Sequence, residues 1–215
     1  MSIEMEIIPI LPQKIFKFKC DDEILKEVQK HIVDEEFVSE RFSEFSNKTK
    51  NYYLLNEDRY KSLYDWFHEC LIEVKKYHNF ACEDIKITQS WANMSTYGQS
   101  FHVHAHPNSI ISGIFYVNDS DTCTCFGRRN EWHYAPIDGI DRCMWISPIE
   151  NPNAYVFHRN KPKAGELVLF NSNLSHNIDV HQSKEKCRVT ISFNSFPSGK
   201  IGDPKNLNAI EIEVK

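Results

Sequence analysis

Hydrophobic residues in the first third of the chain recur at helical spacing. Between Asn56 and about His78, apolar and aromatic residues return every three or four positions, which predicts a helix. The segment DDEILKEVQKHIVDEE at 21–36 has the same spacing and begins with two aspartates suited to helix capping. Before it, the residues up to Cys20 suggest one or two strands interrupted by prolines. We therefore predict that residues 1–84 form a mostly helical support.

From residue 85 to the C-terminus the pattern changes to short strands. Segments rich in Ile, Val, Phe, Thr and Tyr alternate with turn-forming residues, which predicts an antiparallel sandwich or barrel. These segments are KITQSWANM, SFHVHAH, SIISGIFYVN, NAYVFH, GELVLFN, LSHNIDVH and KCRVTISFNSF. Residues 118–152 interrupt the rhythm with Asp, Asn, Pro and charge, and are predicted to be a long insertion between strands. The expected fold is mainly β with N-terminal helices, with an antiparallel sandwich or barrel at 85–215 within a single domain at 1–215.

Composition and charge narrow the classes of possible binding partner. The chain has 215 residues, 41% of them hydrophobic, which suits one folded domain and excludes a disordered chain. A formal net charge of -5 gives no overall attraction to nucleic acid or to an anionic membrane. The apolar run at 110–117 is too short to span a membrane. Seven scattered cysteines fit reduced thiols rather than a disulfide framework. We expect a cytoplasmic protein without membrane or nucleic-acid partners, and a homodimer is compatible with the sequence.

Three of the ten histidines alternate in the segment SFHVHAHPNS, at positions 102, 104 and 106. Alternate residues of a strand share one face, and those two positions apart are separated by about 6.6 Å. A neighbouring pair can therefore converge on one metal ion, whereas His102 and His106, about 13 Å apart, hardly can. Pro107 ends the strand and favours the pair His104 and His106, while a pair that includes His102 is the alternative. Neutral imidazole is a common metal ligand, so the cluster predicts a metal site.

A third ligand must come from elsewhere in the chain, and His176 is the best candidate. It follows a turn at Pro162 and Gly165 and the buried strand ELVLF, and it begins the next predicted strand. The remaining histidines outside the cluster are expected to be surface or structural residues.

Arg188 follows His176 by twelve residues in the segment KCRVTISFN. Apolar and polar residues alternate there, so Arg188 and Ser192 share a face opposite Val189, Ile191 and Phe193. If the apolar side packs on helices, the polar side faces the barrel interior, where a buried arginine needs an anionic partner. That partner is either a bound anion or a protein carboxylate such as Glu166 or Asp179.

Taken together, these motifs resemble the Fe(II)- and 2-oxoglutarate-dependent oxygenases, and more narrowly their prolyl-hydroxylase-like group of bacteria and phages. The shared general pattern is a H-x-H/D pair, a distant His and an Arg about ten residues later. The narrower motifs are W-x-N at Trp91 and Asn93, H-x-H-P-x-S-x-x-S-G-x-F-Y-V at 104–117, P-x-x-G-x-L-x-x-F, L-x-H and R-x-x-I-S-F-N. The similarity spans nearly the whole chain and is weakest at 118–152.

The resemblance implies a double-stranded β-helix that closes on Fe(II), with 2-oxoglutarate and O₂ as cosubstrates. The implied iron ligands are His104, His106 and His176. The implied cosubstrate residues are Arg188 on the distal carboxylate, helped by Ser192 and Tyr116, with Asn93 bordering cosubstrate or substrate. No catalytic residue is expected beyond the metal centre. The expected reaction hydroxylates an unactivated C–H bond, of a prolyl or other amino-acid residue in a protein or peptide, or of a small molecule.

One departure from the wider superfamily supports an alternative. His106 stands where the second ligand is usually a carboxylate, and irons held by three histidines occur in thiol dioxygenases that use no oxoacid. The chain is then a cupin-type iron dioxygenase with Arg188 as an internal ion-pair residue. A third interpretation is a non-enzymatic jelly-roll binding module.

The insertion at 118–152 carries aromatic and cationic residues that suit a recognition surface. They either contact the substrate or pack the insertion onto the barrel. These residues are Arg128, Arg129, Trp132, His133, Tyr134, Arg142 and Trp145.

Overall fold

The fold consists of two antiparallel sheets and two helices, seen in a computed structural model that describes residues 14–39, 45–127 and 158–214. The strands are β1 (Ile15–Lys19), β2 (Phe37–Val38), β3 (Asn47–Thr49), β4 (Cys82–Ser95), β5 (Phe101–His104), β6 (Ile111–Tyr116), β7 (Thr124–Phe126), β8 (His158–Asn160), β9 (Glu166–Asn171), β10 (His176–Ile178), β11 (Arg188–Ile201) and β12 (Ile210–Ile212). The larger sheet has the order β1-β9-β6-β11-β4-β3-β2, with β12 beside β11, and the smaller has the order β5-β10-β7-β8. The mainly β, double-stranded β-helix prediction is confirmed.

The helices α1 (Asp22–His31) and α2 (Lys61–His78) cover the outer face of the larger sheet. The buried residues of α2 recur at threes and fours, which is why this segment is helical. Asn79, with φ of 52°, ends α2 in the left-handed conformation. None of the helices in the described ranges is long and apolar enough to cross a membrane.

Two hydrophobic clusters separate the outside of the larger sheet from the inside of the barrel. The outer cluster joins the helices to alternate residues of β11, including Ile191 and Phe193, and the Phe67 and Phe193 rings lie 5.0 Å apart. The inner cluster lies between the two sheets and consists of Ile114, Tyr116, Phe126, Val168 and Phe170. The polar residues of β11 therefore face the barrel interior, as the alternation in the sequence predicts.

Several element boundaries differ from the sequence predictions. The first helix ends at His31 and continues as a short 3-10 turn at Ile32–Asp34, and the second begins at Lys61 rather than Asn56. The first third also contributes β2 and β3, which extend the larger sheet.

The predicted start of the insertion at 118–152 is wrong. Residues Thr124–Phe126 form β7, which pairs with both β10 and β8 in the smaller sheet. Three residues between polar turns are too few for alternation to indicate a strand, so the sequence does not reveal it. The predicted recognition residues at 128–145 lie outside the described residues.

Candidate metal and cosubstrate site

Three histidines from two segments of the chain meet at one end of the barrel. His104 ends β5 and His176 begins β10, where the two are paired across the smaller sheet. His106 follows β5 and is held by its backbone N–H, which donates to the Ser172 carbonyl at 2.9 Å. One ligand atom from each of the three imidazoles lies within 4.8 Å of the others. This arrangement can hold one metal ion.

Hydrogen bonds to backbone carbonyls fix the tautomers of two of these rings. Nδ1 of His104 lies 2.9 Å from the His102 carbonyl, and Nδ1 of His176 lies 3.0 Å from the Leu174 carbonyl. A carbonyl only accepts, so each Nδ1 carries the proton and each Nε2 keeps a lone pair for a metal. Nε2 of His106 is 3.2 Å from Nε2 of His176. Two nitrogens each about 2.1 Å from one ion would be separated by about 3 Å at a right angle, close to this value.

Burial keeps these imidazoles neutral. It lowers the pKa of His104 to about 4, lowers the pKa of His106, and lowers the pKa of His176 well below its ordinary value. A hydrogen bond with the Asn194 side chain opposes the shift in the pKa of His106. Metal binding requires neutral imidazole, so the cluster is ready for a metal at neutral pH.

His102 is not part of the cluster. Its ring is exposed and stacks on Phe101 with centroids 4.6 Å apart, while its carbonyl accepts from His104. His181, expected to be a surface or structural residue, is buried and binds Thr122 and the Lys186 carbonyl.

Arg188 is the largest fully buried side chain among the described residues. Its Nη2 donates to Oγ1 of Thr124 at 2.8 Å, and its Nε and Nη1 are buried without a hydrogen-bond partner. Burial lowers the pKa of this guanidinium. Neither carboxylate considered from the sequence pairs with it, because Glu166 pairs with Lys17 and Asp179 with Arg159. No carboxylate in the described ranges forms an ion pair with Arg188, so a bound anion would satisfy this guanidinium.

The histidine cluster and Arg188 face the same interior. On β7, Phe126 contacts the His176 ring with centroids 5.9 Å apart, and Thr124 contacts Arg188. These two β7 residues are two positions apart on one face, a step of about 6.6 Å. This strand step is comparable with the length of a five-carbon dicarboxylate, so such a ligand could bridge the histidine cluster and Arg188.

The other predicted cosubstrate residues lie on this inner face with their hydrogen bonds already engaged. Asn93 donates to Ser192 at 3.0 Å and accepts from the Trp91 indole at 3.1 Å. Tyr116 donates to Thr124 at 2.9 Å and lies under Arg188, with the guanidinium 5.5 Å from the ring centroid. The hydroxyl proton of Tyr116 is thus committed to a protein atom.

Four residues of this site were given no role in it from the sequence, although Trp91 was named in a motif. Thr124 lies in the segment interpreted as an insertion, and Thr190 lies between Arg188 and Ser192 on the same face. Trp91 stacks on His106 with centroids 6.0 Å apart, and Asn194 binds the same ring. Strand alternation with Arg188 gives a signal for Thr190 and Asn194, whereas no signal marks Thr124.

Comparisons with known proteins agree with this fold. Residues 89–194 match the model of a family described as "Putative 2OG-Fe(II) oxygenase", a range that contains every predicted site residue. A search of curated proteins finds no match. The fold is similar to that of HygX from Streptomyces hygroscopicus, crystallised with nickel and 2-oxoglutarate, at 10% identity and a TM-score of 0.63 over 86% of this chain and 83% of that chain. A Pseudomonas putida prolyl-4-hydroxylase is 11% identical with a TM-score of 0.59 over 87% of this chain and 94% of that one.

The family match and the geometry of the site indicate a 2-oxoglutarate-dependent oxygenase. The match at 89–194 is to the 2OG-Fe(II) oxygenases and confirms the resemblance inferred from the sequence motifs.

Proposed function

We propose that the protein is a non-haem Fe(II)- and 2-oxoglutarate-dependent dioxygenase that hydroxylates a prolyl or other amino-acid residue in a protein or peptide. Fe(II) with 2-oxoglutarate and O₂ supplies a reaction that converts the cosubstrate into succinate and CO₂ and places a hydroxyl group on an unactivated C–H bond.

The histidine cluster fits an iron ion. Imidazole nitrogens are suitable ligands for Fe(II), and three of them leave positions for other ligands. His104, His106 and His176 would hold the metal through nitrogens that the backbone carbonyls and Asn194 already orient.

The observation that carries the proposal is the buried, unpaired guanidinium of Arg188. Its two unpartnered donors suit the distal carboxylate of 2-oxoglutarate, bound in a bidentate manner. Ser192 and Thr190 lie on the same face and add hydroxyl groups near this pocket. The same residue argues against an oxoacid-free dioxygenase, in which Arg188 would need an internal carboxylate.

The chain's own residues position the reactants and limit water. Trp91 and Phe170 flank the cluster, with centroids 6.0 Å from His106 and 4.7 Å from His176, respectively. Asn93 fixes the Trp91 indole by accepting its N–H. These rings pack against the histidines and would limit the access of solvent to a bound metal.

Support for a prolyl target comes from the motifs shared with the prolyl-hydroxylase-like group and from the fold shared with the P. putida prolyl-4-hydroxylase. A small-molecule substrate is the competing class, because HygX has also been crystallised with hygromycin B.

The test is succinate formation from 2-oxoglutarate under air, with and without added Fe(II). We expect iron-dependent succinate formation, lost in His104→Ala and kept in the matched control His102→Ala. Substrate class is then tested by adding proline-containing peptides, which should raise the rate and gain one oxygen atom by mass. Metal binding without any 2-oxoglutarate turnover or affinity would favour the three-histidine enzyme without an oxoacid.

A further inference from the structure

We propose that a buried chain of hydrogen bonds directs the Thr124 hydroxyl proton into the cosubstrate pocket, with Glu166 and Asn160 as positioning residues. This inference rests on the proposed function, because it concerns the distal carboxylate of 2-oxoglutarate. The chain runs through Lys17, Glu166, Asn160, Tyr116, Thr124 and Arg188. Its inner members, from Glu166 to Arg188, are all buried.

Glu166 determines the direction of the first hydrogen bonds. One carboxylate oxygen pairs with Nζ of Lys17 at 2.8 Å, and the other accepts from Nδ2 of Asn160 at 3.0 Å. A carboxylate only accepts, so Asn160 must turn its NH₂ group toward Glu166. The same nitrogen lies 3.1 Å from the Tyr116 hydroxyl and therefore donates to it.

This donation fixes the next two protons. Because Tyr116 accepts from Asn160, its own proton is directed to Oγ1 of Thr124. Thr124 also accepts from Nη2 of Arg188, which can only donate. Both lone pairs of the Thr124 oxygen are then occupied, and no described residue accepts its hydroxyl proton. That proton is available to an anion held by Arg188, so the pocket offers a hydroxyl donor beside the two free guanidinium donors.

Reversing the hydrogen-bond directions tests the proposal more sharply than removing one of the side chains. In Glu166→Gln, Lys17 holds the amide oxygen, which leaves the amide NH₂ facing Asn160. Asn160 must then present its oxygen, Tyr116 donates to that oxygen, and Thr124 donates to Tyr116 instead of to the ligand. The pocket loses one hydrogen bond to a carboxylate without losing any side chain that touches the cosubstrate.

A second substitution should rescue the Glu166→Gln variant. Adding Lys17→Met to Glu166→Gln frees the glutamine to turn its oxygen toward Asn160, which restores the original direction. Asn160→Asp cannot donate to Tyr116 and should act like Glu166→Gln. The matched control is Glu35→Gln, because Glu35 is also a nearly buried carboxylate in an ion pair, with Arg59, but lies outside the chain.

The experiment is calorimetric titration of the Ni²⁺-loaded full chain with 2-oxoglutarate and, separately, with oxalate. Oxalate chelates a metal but has no distal carboxylate. We expect Glu166→Gln and Asn160→Asp to weaken 2-oxoglutarate binding by about tenfold to a hundredfold, the value of one hydrogen bond to a charged group. Oxalate affinity should stay constant, Glu35→Gln should bind both ligands as the wild type does, and Lys17→Met with Glu166→Gln should recover most of the loss.

Unchanged 2-oxoglutarate affinity in Glu166→Gln overturns the positioning role while leaving the proposed function in place. An equal loss of oxalate affinity, or no recovery in the double variant, assigns Glu166 a structural role and also overturns it. Should Asn160→Asp fail to fold, Glu166→Gln and its rescue decide alone. A wild type that binds oxalate but not 2-oxoglutarate contradicts the proposed function itself, and the positioning role with it.

Discussion

Replacing Arg188 with Met should stabilise the ligand-free protein and abolish its response to 2-oxoglutarate. Arg188 is 1% exposed and keeps two donors without partners, so the folded protein bears the cost of desolvating a charge that no carboxylate offsets. Exchanging buried charges for an apolar side chain of similar length has stabilised proteins by about 1–4 kcal/mol. In a chain of this size each kcal/mol corresponds to about 2–4 °C in melting temperature.

The affinity of Arg188→Met for 2-oxoglutarate should fall, whereas its stability rises. The variant loses two or more hydrogen bonds to a carboxylate, each worth about 1.5–3 kcal/mol, so its affinity should fall by more than about a hundredfold. For the wild type, 2-oxoglutarate at 100 times its dissociation constant adds about 2.7 kcal/mol of stability.

The assay is thermal unfolding of the Ni²⁺-loaded protein with and without 2-oxoglutarate. We expect a higher melting temperature for Arg188→Met and no increase on adding ligand. The matched control is Arg59→Met, which removes a partly exposed arginine paired with Glu35 and Glu57 and should lower stability while keeping the ligand response. A less stable Arg188→Met that still responds to 2-oxoglutarate would contradict the cosubstrate-binding role, because Arg188 would then serve the fold.

Three further predictions follow from the site and its supports. Burial lowers the pKa of His104 to about 4 in the folded state, against about 6.5 in the unfolded state. Protonation of His104 therefore favours the unfolded state, and the metal-free protein should lose stability as the pH falls from about 6.5 toward 4. His104 contributes about 3 kcal/mol of this loss, and urea unfolding of His104→Gln should show a correspondingly shallower pH dependence. Gly113→Ala should destabilise the protein by about 1–3 kcal/mol in chemical unfolding, because the added methyl would overlap the Phe193 ring in the outer cluster. Ser192→Ala should change stability less. Deletion of 118–152 should abolish the cooperative unfolding transition because it removes β7. A deletion variant that retains the transition would contradict the assignment of that strand to the smaller sheet.

Local pattern was enough to predict the parts of the site that depend on spacing. Alternation placed His104 and His106 on one face and placed Arg188 with Ser192 opposite Ile191 and Phe193, and the structure has both arrangements. The fold class followed from the same period-two pattern.

What the sequence could not provide were contacts made across the barrel. It left Glu166 and Asp179 as alternative partners of Arg188, and only the packing shows that each has another cation. The sequence did not reveal Thr124 because β7 has only three residues. This strand is held by pairing with β8 and β10 rather than by local strand propensity. The tautomers of the histidines depend on carbonyl positions that no spacing rule reveals.

The most direct test of the assigned metal and cosubstrate site is a crystal structure of the protein with Ni²⁺ and 2-oxoglutarate. We expect one metal held by His104, His106 and His176, with the keto-acid end of the ligand on the metal and its distal carboxylate on Nε and Nη1 of Arg188. A metal bound through His102, or a distal carboxylate seated away from Arg188, would contradict it.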